Sequence, residues 1–301
     1  MKINEEPISG ADNMKLNDIM RDSKAVAVVQ AALLEDIGSG DVTTLALVNP
    51  EISATGEILT REPCVVAGVN VACKVLELVD PELHADVIIP DGELVDAGTT
   101  IISIQGKAAS ILTADRTALN FMQRMCGIAT LTRKFVDAVS PLNTMILDTR
   151  KTTPILRAFE KFAVLCGGGI NHRFGLYDRV LVKDNHRKLW EGGDPDRLDL
   201  AVDAARKAFP DLVIEMEIES IQECKSALRS APEWIMLDNM SCDAMCECVE
   251  LCRGISQTEA SGGITLERVR EVAETGVDAV SLGCLTHSAR AVDLSLEWSV
   301  D

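Results

Sequence analysis

The 301-residue chain is poor in aromatic side chains and histidine and carries no surplus of positive charge. Phe, Trp and Tyr make up 3% of it, with a single Tyr, there are 4 His, and 47 acidic residues against 29 basic ones give a formal charge of −18. Such a chain repels a phosphate backbone and offers few stacking platforms for bases, so nucleic acid is not an expected partner. Adhesion to an anionic membrane surface is disfavoured for the same reason. No uninterrupted apolar run approaches the roughly 18 residues of a membrane span. The first twenty residues, MKINEEPISGADNMKLNDIM, show neither an apolar h-region nor a small-residue cleavage site, and the expected location is the cytoplasm.

Cys-x-x-Cys pairs are also missing, although there are 10 cysteines. The densest group is Cys242, Cys246, Cys248 and Cys252. On a helix starting after Ser241, the residues Cys242, Met245, Cys246, Val249 and Cys252 fall on one apolar stripe, with Cys248 off it. Four thiolates on one helix cannot converge on a tetrahedral ion, so the cluster reads as core packing. A hydrophobic fraction of 47% and a charged fraction of 25% exclude wholesale disorder, and the length suits one large or two ordinary domains.

What is present is a repeating pattern from residue 145 onward. Short apolar runs at 145–147, 180–182, 212–214, 234–237, 258–260 and 279–282 alternate with amphipathic segments at 154–165, 196–208, 220–229, 241–252 and 265–275. That alternation predicts parallel βα units. Six units are fewer than the eight of a closed barrel, so the expected fold is α/β, an open or incomplete TIM-like barrel, with a doubly wound sheet as the alternative. Residues 1–110 read as an α+β domain, helical over 24–35 and then built of short strands. The segment 113–139 reads as a bridging helix carrying Arg116, Arg124 and Arg133.

In parallel α/β folds the C-terminal strand ends share one face, where sites form. Here those ends carry Asp148-Thr149-Arg150-Lys151, Lys183-Asp-Asn-His186, Glu215-Met-Glu217-Ile-Glu219, Asp238-Asn239, Glu259-Ala-Ser261-Gly262-Gly263 and Gly283-Cys-Leu-Thr-His287. Between Asp148 and Lys188 nine basic residues face four acidic ones, a window of +5 that leaves −23 for the rest. Concentrated cations in an acidic molecule form an anion trap. A solvated face of helix 154–165 accounts for Arg157 and Lys161, but not for Arg150, Lys151 and Lys183, which follow apolar strands. Arg suits carboxylate and Lys suits phosphate, so the mixture predicts a substrate bearing both. Ser261-Gly262-Gly263 ahead of a helix is a candidate phosphate cradle, and Gly283 a second. Gly167-Gly-Gly169 reads as a mobile loop delivering His172 and Arg173, or alternatively as a helix C-cap. Glu217 and Asp238 could bind ribose hydroxyls or Mg²⁺, stabilise a sugar cation, or serve as salt-bridge partners for the lysines. Spacing does not choose among Glu215, Glu217 and Glu219, which share the strand's alternation.

The stretch LDTRKTTPILRAFEKFAVLCGGGINHRFGLYDRVLVKDNH (147–186) resembles the signature of the quinolinate phosphoribosyltransferases. Similar stretches are LLEDIGSGDVTT (33–44), DRTALNFMQRMCGIAT (115–130), IEMEIES (214–220), IMLDNM (235–240), EASGGITLE (259–267) and AETGVDAVSLGCLTHSA (273–289). The resemblance implies an N-terminal α/β sandwich over residues 1–125, with 289–301 packing back on it, and an open α/β barrel over 126–288. It implies conversion of quinolinate and phosphoribosyl pyrophosphate to nicotinate mononucleotide, pyrophosphate and CO₂, with Mg²⁺, in a homodimer. It further implies that Thr149, Arg150, Lys151, His172 and Arg173, with Arg116 from the partner subunit, hold quinolinate. Lys151 and Lys183 would face the pyridine carboxylate and the pyrophosphate, while Glu217 and Asp238 would hold the ribose and its metal. Ser261, Gly262, Gly263, Ser281, Leu282 and Gly283 would cradle the 5′-phosphate. The departures are Ile155 where the family usually has Gly, Phe162 in place of Tyr, and APEW at 231–234 in place of a Gly-Ala-Asp type turn. A paralogous enzyme acting on nicotinate or another small aromatic acid would need fewer Arg and His groups. A catalytically silent phosphosugar-binding protein would be expected to have lost Lys183, Glu217 or Asp238.

Overall fold

Residues 19–190 and 197–299 are described by a computed structural model of the chain; residues 1–18 of the N-terminal stretch quoted above lie outside them. They divide into two units, each discontinuous in sequence. Residues 134–150 and 169–283 form one, and 19–133, 151–168 and 284–299 the other.

The second unit contains the N-terminal sandwich. Its strands are β1 (Ser53–Thr60), β2 (Cys64–Val65), β3 (His84–Val87), β4 (Leu94–Val95) and β5 (Thr100–Lys107). β1 alternates, burying Gly56, Ile58 and Thr60 and turning Thr55, Glu57 and Leu59 to the other face. β5 pairs antiparallel with β1, setting Ile102 opposite Ile58 and Ile104 opposite Gly56. A Cβ on Gly56 would lie 3.6 Å from Ile111, so the helix Ala108–Val139 packs against this face. That helix is longer than the expected 113–139, and from Lys134 on it belongs to the other unit.

The first unit holds β6 (Met145–Leu147), β7 (Val180–Val182), β8 (Ile214–Ile218), β9 (Trp234–Asp238), β10 (Gln257–Ser261) and β11 (Ala279–Ser281). They form one all-parallel sheet in the order β6-β11-β10-β9-β8-β7. Ile170 adds a single parallel bridge outside β6, to Leu147, and among the described residues no ladder joins it to β7. The barrel is therefore open. A last strand, β12 (Leu294–Ser299), returns to the sandwich and pairs antiparallel with β1, completing the sheet β12-β1-β5-β3.

Several expectations shift. β8 is not 212–214 followed by a loop of acids: Glu215 and Glu217 lie inside the strand, all five residues of which are buried. A carboxylate can stay in a buried strand when a cation meets it, as each of these does. The segment 154–165 forms a helix only from Arg157 to Cys166, because Pro154 and Ile155, at φ 72°, precede it. On this helix Lys161 is fully buried and not part of a solvated face. Gly167 caps the helix by donating its N–H to Ala163, which is the C-cap reading of the glycine run. The segment 265–275 is helical only over Val269–Glu274. In the helix Cys242–Cys252 the buried residues are Met245, Cys248 and Cys252, while Cys246 is exposed. The expected stripe shares Met245 and Cys252 with the buried set, and Cys248 takes the place of Cys246 in it; Cys224 of the neighbouring helix Ile221–Ala227 lies against this face, its Sγ 3.7 Å from Cys252 Sγ.

Candidate active site

The mouth of the open barrel is built from strand ends. Lys183 follows β7 and caps the helix Asp184–Leu189, its N–H donating to His186 Nδ1 at 2.9 Å. Its Nζ donates to Glu217 Oε2 on the adjacent strand β8. Asp238 ends β9, which pairs with β8, and accepts a hydrogen bond from Asn239 Nδ2 at 2.8 Å. Glu217 and Asp238 thus stand on neighbouring strands, one held by a lysine and the other half-buried at the rim.

The other wall is cationic. β6 ends at Leu147, and the buried Asp148 accepts the backbone N–H of His172 at 2.8 Å, tying the Thr149-Arg150 segment to the 170–173 segment. Arg173 is buried, and its Nη1 donates to the Arg179 carbonyl at 3.2 Å. Burial and the neighbouring Arg150 guanidinium both lower its pKa. A buried guanidinium whose charge is disfavoured by a second cation is a natural place for an anion. The resemblance puts His172 among the substrate ligands, but both of its ring nitrogens face protein atoms: Nδ1 accepts from Arg173 N–H at 2.7 Å and Nε2 sits 3.0 Å from Glu215 Oε2.

The third part is made of β10 and β11. Ser261 ends β10, and its carbonyl accepts the Asn239 N–H at 3.0 Å. Gly262 and Gly263 follow at φ 95° and 59°. A Cβ at Gly262 would fall 2.2 Å from Asn239 Oδ1, so only glycine fits there. Because the next helix starts at Val269, these glycines bend the chain at the strand end and do not cap a helix. Ser281 and Leu282 are buried at the end of β11, the Leu282 N–H donating to Leu147 at 2.9 Å, and Gly283 is half-buried. Lys151 and Arg116 belong to the other unit. Both are exposed; Thr286 Oγ1 donates to the Lys151 carbonyl at 2.6 Å, and Arg116 lies on the helix Ala108–Val139.

Sequence reasoning missed the residues beneath the mouth: Asp148, Arg179, Glu259 and, as anything beyond one of three equivalents, Glu215. A charged residue flanked by apolar ones in a strand predicted to be buried on both faces was the available signal. Burial raises the Glu259 carboxyl, as does the Glu215 charge, although His172 works the other way. In Glu215, burial is outweighed by His172 and Arg179, and its pKa stays low.

These features define an α/β-barrel protein whose strand ends combine guanidiniums, lysine-held carboxylates and glycine turns, a set suited to a small polyanion. Comparison with known proteins is specific. The quinolinate phosphoribosyl transferase N-terminal domain matches residues 41–126, and the C-terminal domain of the same family matches 128–297. The chain belongs to the quinolinate phosphoribosyltransferase family. It is 41% identical over 287 residues to a chloroplastic nicotinate-nucleotide pyrophosphorylase [carboxylating] of Oryza sativa, covering 90% of this chain and 76% of that protein. It is 39% identical over 265 residues to a probable nicotinate-nucleotide pyrophosphorylase [carboxylating] of Bacillus subtilis, covering 88% and 90%. The solved nicotinate-nucleotide pyrophosphorylase of Francisella tularensis superposes with a TM-score of 0.85 at 36% identity, covering 91% of this chain and 95% of that one.

Proposed function

We propose that this chain transfers the phosphoribosyl group of phosphoribosyl pyrophosphate to quinolinate and releases CO₂, forming nicotinate mononucleotide and pyrophosphate in the biosynthesis of NAD. Residues 126–288 serve as its catalytic domain and 1–125 as the N-terminal domain. The observation that carries the reading is a unit that holds the half-buried Arg150 and the buried Arg173 as one pair of cations and sets Lys183 on Glu217 as a second pair. A dianionic pyridine fits the first pair and the sugar phosphate the second.

Arg150 and Arg173, with Thr149 and Lys151 beside them and Arg116 from a partner subunit, take the two carboxylates. Ser261, Gly262, Gly263, Ser281, Leu282 and Gly283 hold the 5′-phosphate through backbone N–H groups and hydroxyls. The pyridine nitrogen attacks ribose C1 while the C1–O bond to pyrophosphate breaks. Glu217 and Asp238 stabilise the positive charge that develops on the sugar, and Lys151 and Lys183 the negative charge on the leaving group. The pyridinium then accepts the electron pair of the adjacent C–C bond as CO₂ departs, and a proton replaces it on the ring carbon. Magnesium ions accept one or two carboxylates plus substrate phosphates, and Glu217 and Asp238 on neighbouring strands are that donor set. A bound Mg²⁺ would neutralise charge on the pyrophosphate.

The chain forms a homodimer in which Arg116 is donated across the interface, a reading supported by the exposure of this residue. Among the described residues no helix is long and apolar enough to cross a membrane. The test is to incubate the protein with quinolinate, phosphoribosyl pyrophosphate and Mg²⁺ and follow CO₂ release from carboxyl-labelled quinolinate. Release is expected. Turnover of nicotinate with none of quinolinate would assign the chain to the paralogous activity instead.

A further inference from the structure

Below the mouth lies a cluster of buried charge for which the proposed reaction has no direct use. Glu215 on β8 and Glu259 on β10 are fully buried, and both carboxylates converge on His172. Its Nε2 lies 3.0 Å from Glu215 Oε2 and 3.3 Å from Glu259 Oε2. Arg179, equally buried, places Nη1 3.2 Å from Glu215 Oε2 and 3.4 Å from His172 Nε2, with its guanidinium 5.0 Å from the centre of the Trp234 ring. The His172, Glu215 and Glu259 ligand atoms are close enough for a metal ion, but the guanidinium already supplies the cation at that point.

The cluster acts on the site through the chain between residues 172 and 179. His172 Nδ1 accepts the Arg173 N–H at 2.7 Å, and Arg173 Nη1 donates to the Arg179 carbonyl at 3.2 Å. Asp178 accepts the N–H groups of Phe174 and Gly175 at 2.6 and 2.9 Å. These contacts link Arg173 and the residues that follow it to His172, Asp178 and Arg179, and all are made by protein atoms alone. We propose that Glu259 and Glu215 are positioning residues: their buried carboxylates seat His172 and Arg179, which in turn hold Arg173 beside Arg150 in the arrangement that receives a dicarboxylate. His172 contributes to recognition through Arg173. Two neighbouring guanidiniums repel one another, and a loop of ordinary stiffness would let them separate before substrate arrives; a rigid support keeps them preorganised. Burial disfavours charge on His172, while Glu259 and Glu215 favour it. The Arg173 N–H opposes a proton on Nδ1, so the pull of the carboxylates falls on the Nε2 proton.

This inference rests on the reading of the mouth as a quinolinate site, and the experiment separates the two. In the full-length protein, Glu259→Gln is expected to raise KM for quinolinate about tenfold, the usual scale for losing a group that orients a ligand. KM for phosphoribosyl pyrophosphate should stay within about twofold. In an Arg173→Ala background the same substitution should add less than about twofold, since its effect passes through Arg173. Glu215→Gln provides the same measurement if Glu259→Gln does not fold. Equal rises in both KM values, unchanged KM for quinolinate, or full additivity with Arg173→Ala would overturn the inference while leaving wild-type turnover intact. Absence of quinolinate turnover in the wild type would overturn the functional reading, and this inference with it.

Discussion

The sheet core of the sandwich and the floor of the barrel mouth bury different kinds of surface. Inside the sandwich, Ile58, Ile102, Ile104, Ile111 and Met122 are at most 1% exposed and no charge lies among them. Inside the barrel, Glu215, Glu259 and Arg179 are each 0% exposed, with His172 and Arg173 just above. The sandwich interior gains the full benefit of apolar burial, roughly 25 cal/mol per Å². The barrel interior accepts the desolvation of several charges, which good geometry only offsets. The comparison teaches that the two interiors carry different burdens: the sheet core of the sandwich is assembled for packing, while the barrel adds to its own apolar core a floor of charges beneath its mouth.

Substitutions can break or sharpen that contrast. The largest effect is expected at Arg150, where Arg150→Ala removes a bidentate partner of a dianion. It should lower kcat/KM for quinolinate by about 10³-fold, about 4 kcal/mol, with the melting temperature nearly unchanged. Unchanged steady-state kinetics would remove Arg150 from the site. Next, Arg179→Met leaves Glu215 buried without its guanidinium and should cost about 3–4 kcal/mol in urea unfolding, the scale of a broken buried pair. A loss under about 1 kcal/mol would mean that the barrel's charges are not coupled to its stability. In the sandwich, Ile104→Ala opens a cavity in an apolar core, with an expected cost of about 3 kcal/mol and KM values that do not move. A specific change in quinolinate KM would blur the division of labour. The smallest effect is at Ile155, held at φ 72° and exposed. A left-handed conformation costs a β-branched residue about 1–2 kcal/mol, partly offset by the entropy glycine loses, so Ile155→Gly should stabilise by roughly 0.5 kcal/mol. Calorimetry showing destabilisation would contradict it.

Much of this was legible in the chain. Periodicity located the six parallel strands, though β8 was placed too early, and the cationic window at 148–188 singled out Arg150, Arg173 and Lys183. The departure at Ile155, visible only against the family pattern, coincides with a backbone conformation that favours glycine. What periodicity could not read was the inside of the barrel. Glu215 and Glu217 are two residues apart on one strand and look equivalent, yet one meets Arg179 and His172 and the other Lys183. Likewise the apolar stripe ran through Cys246 and left Cys248 out, and the structure reverses the two, burying Cys248 and exposing Cys246.

By itself, then, the order of residues determined the alternation of strands and helices, the acidic character of the chain and the cationic exception within it. All of these follow from local periodicity and charge counting, and neither depends on distant neighbours. Which carboxylate faces the mouth and which is sealed beneath it was decided only by the tertiary structure. So was the position of His172, whose two ring nitrogens meet Arg173 on one side and Glu215 on the other. The reason is physical. The state and role of a buried charge depend on what lies within a few ångströms of it in space, and those partners come from strands and loops separated by tens of residues along the chain.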